Sequence, residues 1–134
     1  MLLVARGSRD GQAKEEMRQF GALREEMSRD SKVEVAFLAM AEPSLEQQLA
    51  NLAGGRFRRV IVQPHFLFEG ELVDRIRGQI AEIAAAHPET EWIVTHPLAD
   101  QPGKFGLASE LLQKVILDRC QEGGIRVVVS RGDD

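Results

Sequence analysis

Three histidines, His65, His87 and His96, and a single cysteine, Cys120, bound the metal and acid–base chemistry open to this chain. A lone cysteine closes no intramolecular disulfide and builds no Cys-rich zinc site, so any metal must rest on imidazoles and carboxylates. Imidazole is the commonest ligand for borderline metals and also a base near neutral pH. His65 follows Pro64 and His96 precedes Pro97, which stiffens the backbone at each ring. The two lie 31 positions apart. That spacing leaves two readings open, a metal site shared by His65 and His96 or two separate loop histidines. His87 stands in Ala84-Ala85-Ala86-His87-Pro88, where an imidazolium offsets a helix dipole, and it reads as a cap.

A second group is the run Arg6-Gly7-Ser8-Arg9-Asp10-Gly11, which joins a short apolar segment to a helical pattern, as anion cradles do. It lacks both the Gly-x-Gly-x-x-Gly spacing of dinucleotide folds and the Gly-Lys-Ser/Thr ending of a P-loop. Ser8 or Asp10 also reads as a plain helix cap. Arg56, Arg58 and Arg59, together with Glu15-Glu16 and Glu25-Glu26, read as solvated surface charge.

The elements that must position these groups alternate in period. Leu2 to Ala5 is a buried strand, and Ala13, Met17, Phe20, Leu23 and Met27 paint one helix face. Val33 to Ala39 is the next strand. Pro43-Ser44 opens a helix through Leu45, Leu49 and Leu52, which Gly54-Gly55 ends. Val60-Ile61-Val62 reads as a strand buried on both faces. A helix from about residue 70 to residue 86 carries Leu72, Ile76, Ile80 and Ile83 inward. Trp92 to Val94 is a fourth strand and residues 104 to 122 a fourth helix. Residues 125 to 129 form either a fifth strand or an arm. Strand alternating with helix predicts a three-layer α/β sandwich, a four-stranded parallel sheet flanked by helices. Ligands of such sheets bind at the carboxyl ends of the strands. Segments 6–11, 40–43, 64–71 and 96–103 fall there, carrying Arg6, Ser8, Arg9, Asp10, Glu42, His65, Glu69, Glu71, His96 and Asp100.

The chain's 134 residues make one domain, residues 1–134, large enough to hide roughly 70% of its extended surface. Apolar residues at 43% and charged residues at 28% exclude wholesale disorder. A net charge of −4 argues against a nucleic-acid partner. No apolar run approaches the ~20 residues of a membrane helix, and the opening Met1 to Ala5 is too short for a signal-peptide core. The expectation is a soluble cytoplasmic protein.

At these loops the sequence resembles the small CbiX-type sirohydrochlorin chelatases. Leu2-Leu3-Val4-Ala5-Arg6-Gly7-Ser8-Arg9-Asp10 is similar to the family's opening strand and His-Gly-Ser-Arg loop. Phe37 to Leu45, with Glu42 and Pro43 in place, resembles the segment after the second strand. Val62-Gln63-Pro64-His65-Phe66-Leu67-Phe68-Glu69-Gly70 resembles the third strand and its Phe-Leu-Phe-x-Gly turn, and Pro97-Leu98 the pair after the fourth. The resemblance implies insertion of Co2+, Fe2+ or Ni2+, the metal being a substrate, into a carboxylate-rich tetrapyrrole without an organic cofactor. A homodimer is implied as well, by analogy with members that fuse two such domains.

The family's first-loop histidine is Arg6 here, Glu71-Leu72 stands where small members often carry another, and Gln101 replaces a third. Arginine binds no cation and accepts no proton, but it clamps carboxylates. No family histidine transfers residue by residue, so a working chelatase here would use relocated groups of the rim, with His65, Glu71 and Glu42 catalytic and His65 and His96 meeting the metal. Arg6, Gly7, Ser8, Arg9, Phe66 and Gly70 would bind substrate. Phe66-Leu67-Phe68 is both a candidate dimer contact and a candidate core segment. A catalytically degenerate tetrapyrrole- or metal-binding relative, acting as carrier or partner subunit, is the alternative. A small anion-binding domain is the third.

Overall fold

The computed structural model describes residues 1–28, 31–54, 56–99 and 107–122, with side chains of the last segment from residue 110 onward. The elements run β1 (Leu2–Ala5), α1 (Gly11–Met27), β2 (Glu34–Phe37), α2 (Leu45–Leu52), β3 (Arg59–Pro64), α3 (Glu71–Ala86), β4 (Glu91–Val94) and α4 (Leu107–Glu122). The predicted segment 125–129, Asp100 and Gln101 lie outside the described residues.

Every strand pairs in parallel, in the order β2-β1-β3-β4. Pleating sends alternate side chains to opposite faces. Leu2 and Val4, Ala36, Val60 and Val62 pack with Leu45, Leu49 and Leu52 of α2 and Ile76 and Ile80 of α3. Leu3 and Phe37 pack on the other face with Met17 of α1. Helices thus cover both faces, the three-layer α/β arrangement predicted from the sequence. Each fully buried aliphatic side chain contributes ~1.5–3 kcal/mol of hydrophobic stabilisation.

Local chemistry sets the ends of these elements. Asp10 caps α1, its carboxylate accepting from the Gln12 N–H at 2.9 Å. Ser44 and Gln47 form a reciprocal capping box that starts α2 one residue after Pro43. His87 closes α3, its N–H donating to the Ile83 carbonyl at 3.0 Å.

Three readings of the sequence change, and the first is that Val73 rather than Leu72 joins Ile76 and Ile80 as the buried residues of α3. In α1 the buried positions are Met17 and Gly21, while Phe20, Leu23 and Met27 are 44%, 54% and 74% exposed. The cause is Gly21, where a Cβ would stand 2.8 Å from a Val35 methyl. Without that carbon the helix lies close on β2 and turns its larger apolar groups aside. In β3, Ile61 is half-buried between the buried Val60 and Val62, so the strand alternates where burial on both faces was expected.

Gly7 is held by its surroundings in the first loop. Its φ is +95°, and a Cβ would stand 1.8 Å from the Ala39 carbonyl oxygen. Gly78, exposed within α3, has nothing within 4 Å of its would-be Cβ. Gly7→Ala is therefore expected to destabilise the fold by at least ~2 kcal/mol. Gly78→Ala is expected to stabilise it by ~0.5–1 kcal/mol through helix propensity. Urea unfolding midpoints check both, and equal stability of Gly7→Ala and the parent chain would refute the close approach.

Candidate functional site

The chain leaves β1 toward β2 and leaves β3 toward β4, so the adjacent strands β1 and β3 send their following loops in opposite directions. A crevice opens at such a switch point, at the carboxyl ends of the strands. The register carries Val4 opposite Pro64, and the next backbone bond runs from the His65 N–H to the Val4 carbonyl at 2.7 Å. His65 stands one step past Pro64 and so shares the pleat phase of Gln63 and Leu3, toward α1. Its ring meets Phe20 at 4.9 Å between centroids, tilted by 56°.

Around this ring lies a cleft of about 450 Å³, lined by Ala5 at the end of β1, Arg6, Gly7 and Ser8 from the first loop, Lys14, Glu16, Met17 and Phe20 from α1, Phe37, and His65. Arg6 and Lys14 give it two cations, and Glu16 gives it a carboxylate that accepts from the Gln12 side-chain amide at 3.1 Å. The Ser8 hydroxyl accepts from the Asp10 N–H at 3.0 Å, which fixes the loop's curl. Arg9 is exposed beside it.

His65 is half-buried, and burial pushes its pKa below the ordinary imidazole value. Burial thus favours the uncharged ring. Nδ1 is sealed from solvent and has no hydrogen-bond partner among the described residues, leaving Nε2 as the nitrogen a ligand can reach. A buried orphan N–H is less tolerated than a buried orphan acceptor. The favoured tautomer therefore keeps Nδ1 bare and presents Nε2–H to the cleft, a donor suited to an anion.

His96 has other surroundings. Thr95 stays level with Gln63, its hydroxyl donating to the Gln63 side-chain oxygen at 2.6 Å. His96, one step further, falls in the opposite pleat phase, toward α3. There its Nδ1 lies 3.6 Å from a Glu69 oxygen. Arg77 of α3 grips Glu69 with two bonds of 2.6 Å each and approaches Asp74 at 3.5 Å. This guanidinium holds the Glu69 carboxyl below the usual carboxylate range, with His96 adding to the effect. His65 and His96 thus follow neighbouring strands of one rim, but the pleat gives them different partners on opposite faces. Among the described residues, no group of three or more His, Cys, Asp or Glu side chains is placed to hold a metal ion.

The remaining predicted groups are spread along the rim. Glu42 is exposed between β2 and α2, and Glu71 is the exposed first residue of α3, directly after Gly70. Phe66 packs against the core, whereas Leu67 and Phe68 are exposed. His87 pairs its Nδ1 with Glu89 at 3.0 Å, away from the rim. Sequence reasoning missed Lys14 and Glu16 as cleft residues. Their signal was present, since Ala13, Glu16, Met17 and Phe20 follow helical spacing straight after the loop.

The CbiX family model matches residues 1–123. The sirohydrochlorin cobaltochelatase of Priestia megaterium is 23% identical over 123 residues, 92% of this chain and 38% of that protein. The sirohydrochlorin ferrochelatase of the same organism is 29% identical over 84 residues, 63% of this chain and 32% of that protein. The chain thus spans less than half the length of these curated relatives. Among solved structures, the CbiX protein of Marinobacter aquaeolei VT8 superposes with a TM-score of 0.69 at 20% identity, covering 91% of this chain and 97% of that one. The cobalt complex of the sirohydrochlorin chelatase SirB from Bacillus subtilis subspecies spizizenii gives 0.76 at 21% identity, covering 90% and 49%. These structural likenesses are likenesses of fold.

The depressed pKa of His65 has a definite sign in stability. As pH falls below the unfolded value of 6.5, the unfolded chain binds a proton that the folded chain resists. The His65 contribution is therefore fully present above that value and is lost as pH falls toward the folded pKa. His65→Phe, which keeps a ring against Phe20, is expected to lose less stability than the parent chain between about pH 7.5 and about pH 5, on either side of the ordinary imidazole value. Urea denaturation across that window tests this, and parallel stability curves would refute it.

Proposed function

This chain belongs to the CbiX family, and from that premise we propose that it inserts a divalent metal ion into a carboxylate-rich tetrapyrrole of the sirohydrochlorin kind. The observation that carries the reading is the cleft at the β1–β3 switch point, where Arg6 and Lys14 stand beside a half-buried His65 whose pKa burial lowers. The relatives named as cobalto- and ferrochelatases supply the substrate class.

In the reaction two pyrrole N–H bonds break, two protons leave, and the M2+ ion takes their place with no change in the ring's net charge. Arg6, Arg9, Lys14 and Ser8 receive acetate and propionate arms, since guanidinium and ammonium pair with carboxylates. Gly7 lets the backbone fold tightly under them. Phe66 and Gly70 support the turn on which the ring edge rests, and Glu71 and Glu42, both exposed at the rim, take the two protons to solvent. Of the two imidazoles at the rim, His65 meets a carboxylate arm through its reachable nitrogen and His96 faces the metal ion. Co2+, Fe2+ and Ni2+ all suit imidazole and carboxylate donors, and no organic cofactor is needed.

A cleft of about 450 Å³ admits only an edge of such a macrocycle. The reading therefore includes a two-fold homodimer, in which a second copy covers the exposed Leu67 and Phe68. A net charge of −4 supports a small-molecule rather than a nucleic-acid partner. No helix among the described residues is long and apolar enough to cross a membrane. The reading is of a cytoplasmic protein, supported by its lone free thiol, Cys120.

Arg6 favours a second reading. Where the family resemblance expects a first-loop histidine, this chain has a side chain without a lone pair. A relative that binds tetrapyrrole without inserting metal, as a carrier or partner subunit, fits that residue.

Visible spectra of sirohydrochlorin with Co2+, Fe2+ and Ni2+ in parallel separate the two. The parent chain is expected to exceed the spontaneous rate, and His65→Ala to lose about tenfold or more of that excess by misplacing the carboxylate arm it holds. Tetrapyrrole binding without turnover, with activity gained only by Arg6→His, would establish the carrier instead. Failure to bind any tetrapyrrole at micromolar concentration would defeat both readings.

A further inference from the structure

We propose that Glu69 and Arg77 are positioning residues that make His96 the imidazole which meets the incoming metal ion, leaving His65 to hold a carboxylate arm. This deepens the chelatase reading and rests on it for the identity of the substrate. Histidines that bind metal through one ring nitrogen almost always donate the other N–H to a carboxylate or carbonyl, which fixes the tautomer. His65 has no such partner, because its Nδ1 is sealed and unpaired. Metal at its Nε2 would strand a buried N–H.

His96 has the required partner. Its Nδ1 faces Glu69 at 3.6 Å, and closing by roughly half an ångström brings the pair into charge-assisted hydrogen-bond range. Glu69 cannot swing away easily, because Arg77 grips both of its oxygens at 2.6 Å. The backbone on either side is also fixed. Gln63 donates to the His96 carbonyl at 3.1 Å, and the Leu98 and Ala99 N–H groups donate to the Phe66 and Leu67 carbonyls at 2.8 and 2.9 Å. The segment bearing His96 and the turn bearing Glu69 therefore move as one piece. Nδ1–H directed at Glu69 leaves the Nε2 lone pair free, and the side chain is 54% exposed at the rim. A single anchored imidazole with open positions suits an ion that must be passed on.

The test is a titration of the histidine-labelled full chain with cobalt(II) chloride, following imidazole resonances by NMR with no tetrapyrrole present. The expected result is an Nδ1–H tautomer at His96 and early paramagnetic broadening of its ring. In Glu69→Gln the tautomer is expected to change, and the Co2+ concentration that half-broadens His96 to rise about tenfold or more. Arg77→Gln, which keeps the carboxylate but frees it, is expected to give a smaller rise. His87, paired with Glu89 elsewhere, is the internal reference and should not respond to either change. An Nε2–H tautomer at His96 in the parent chain would overturn the proposal. So would a half-broadening concentration unchanged by Glu69→Gln, or one that moves equally at His87. Because no tetrapyrrole is used, loss of insertion with this pattern intact counts against the chelatase reading alone.

Discussion

One backbone hydrogen bond organises the rim, the 2.7 Å bond from the His65 N–H to the Val4 carbonyl. It extends the β1–β3 ladder one residue past its last paired position. That extension decides the face to which His65 points and sets the ring beside the first loop. β1 is central in the order β2-β1-β3-β4, so the same strand also holds the loop's other flank. Leu38 and Ala39 donate to the Ala5 and Arg6 carbonyls at 3.0 Å each, drawing the segment after β2 against it. Three chain segments meet because one strand is hydrogen-bonded on both edges. Side-chain chemistry at the rim inherits its directions from that ladder, and a one-residue slip would send every one of them to the other face.

The same alternation explains what was legible in the sequence. Strand and helix alternation pointed to the parallel sheet, because an apolar run such as Leu2–Ala5 is satisfied between helical layers. The rule that ligands gather at strand carboxyl ends located His65, His96 and the Arg6 loop. Whether two imidazoles meet depends on pleat phase, and phase depends on register, which no spacing of 31 residues encodes. Val62 pairs with Val94, so His96 is level with Pro64, not with His65. The inward face of α1 was misjudged for a different reason. Apolar periodicity counts side chains that want burial, whereas Gly21 gains its place by having none. A helix may be seated by its smallest residue.

That seating has a consequence for the cleft. With Gly21 against Val35, Phe20 is turned toward the sheet's carboxyl end, where it covers one side of the His65 ring. Phe20, the residue just before Gly21, thus supplies part of the burial that lowers the His65 pKa. Lys14, Glu16 and Met17 line the same cleft from α1. Packing and electrostatics are one problem here, since the contact that fills the space beside the ring also removes the water that would stabilise its charged form.

Charge placement completes the argument. A chain with net charge −4 repels a polyanion at a distance, so recognition of one must come from a few local cations in a partly dry site. Arg6 and Lys14 stand in the cleft, and Arg9 is exposed on the same loop. Arg77, the other rim cation, is already committed to Glu69 through both of its terminal nitrogens. The two sides of the rim are thereby given opposite characters. The α1 side offers unspent positive charge and a neutral ring donor, which suit carboxylates. The α3 side offers a neutralised carboxylate behind an exposed imidazole, which suits a cation. An ion and an anionic ring brought to one rim must approach without first binding each other's groups, and sorting them to opposite faces of one sheet achieves that with no moving part.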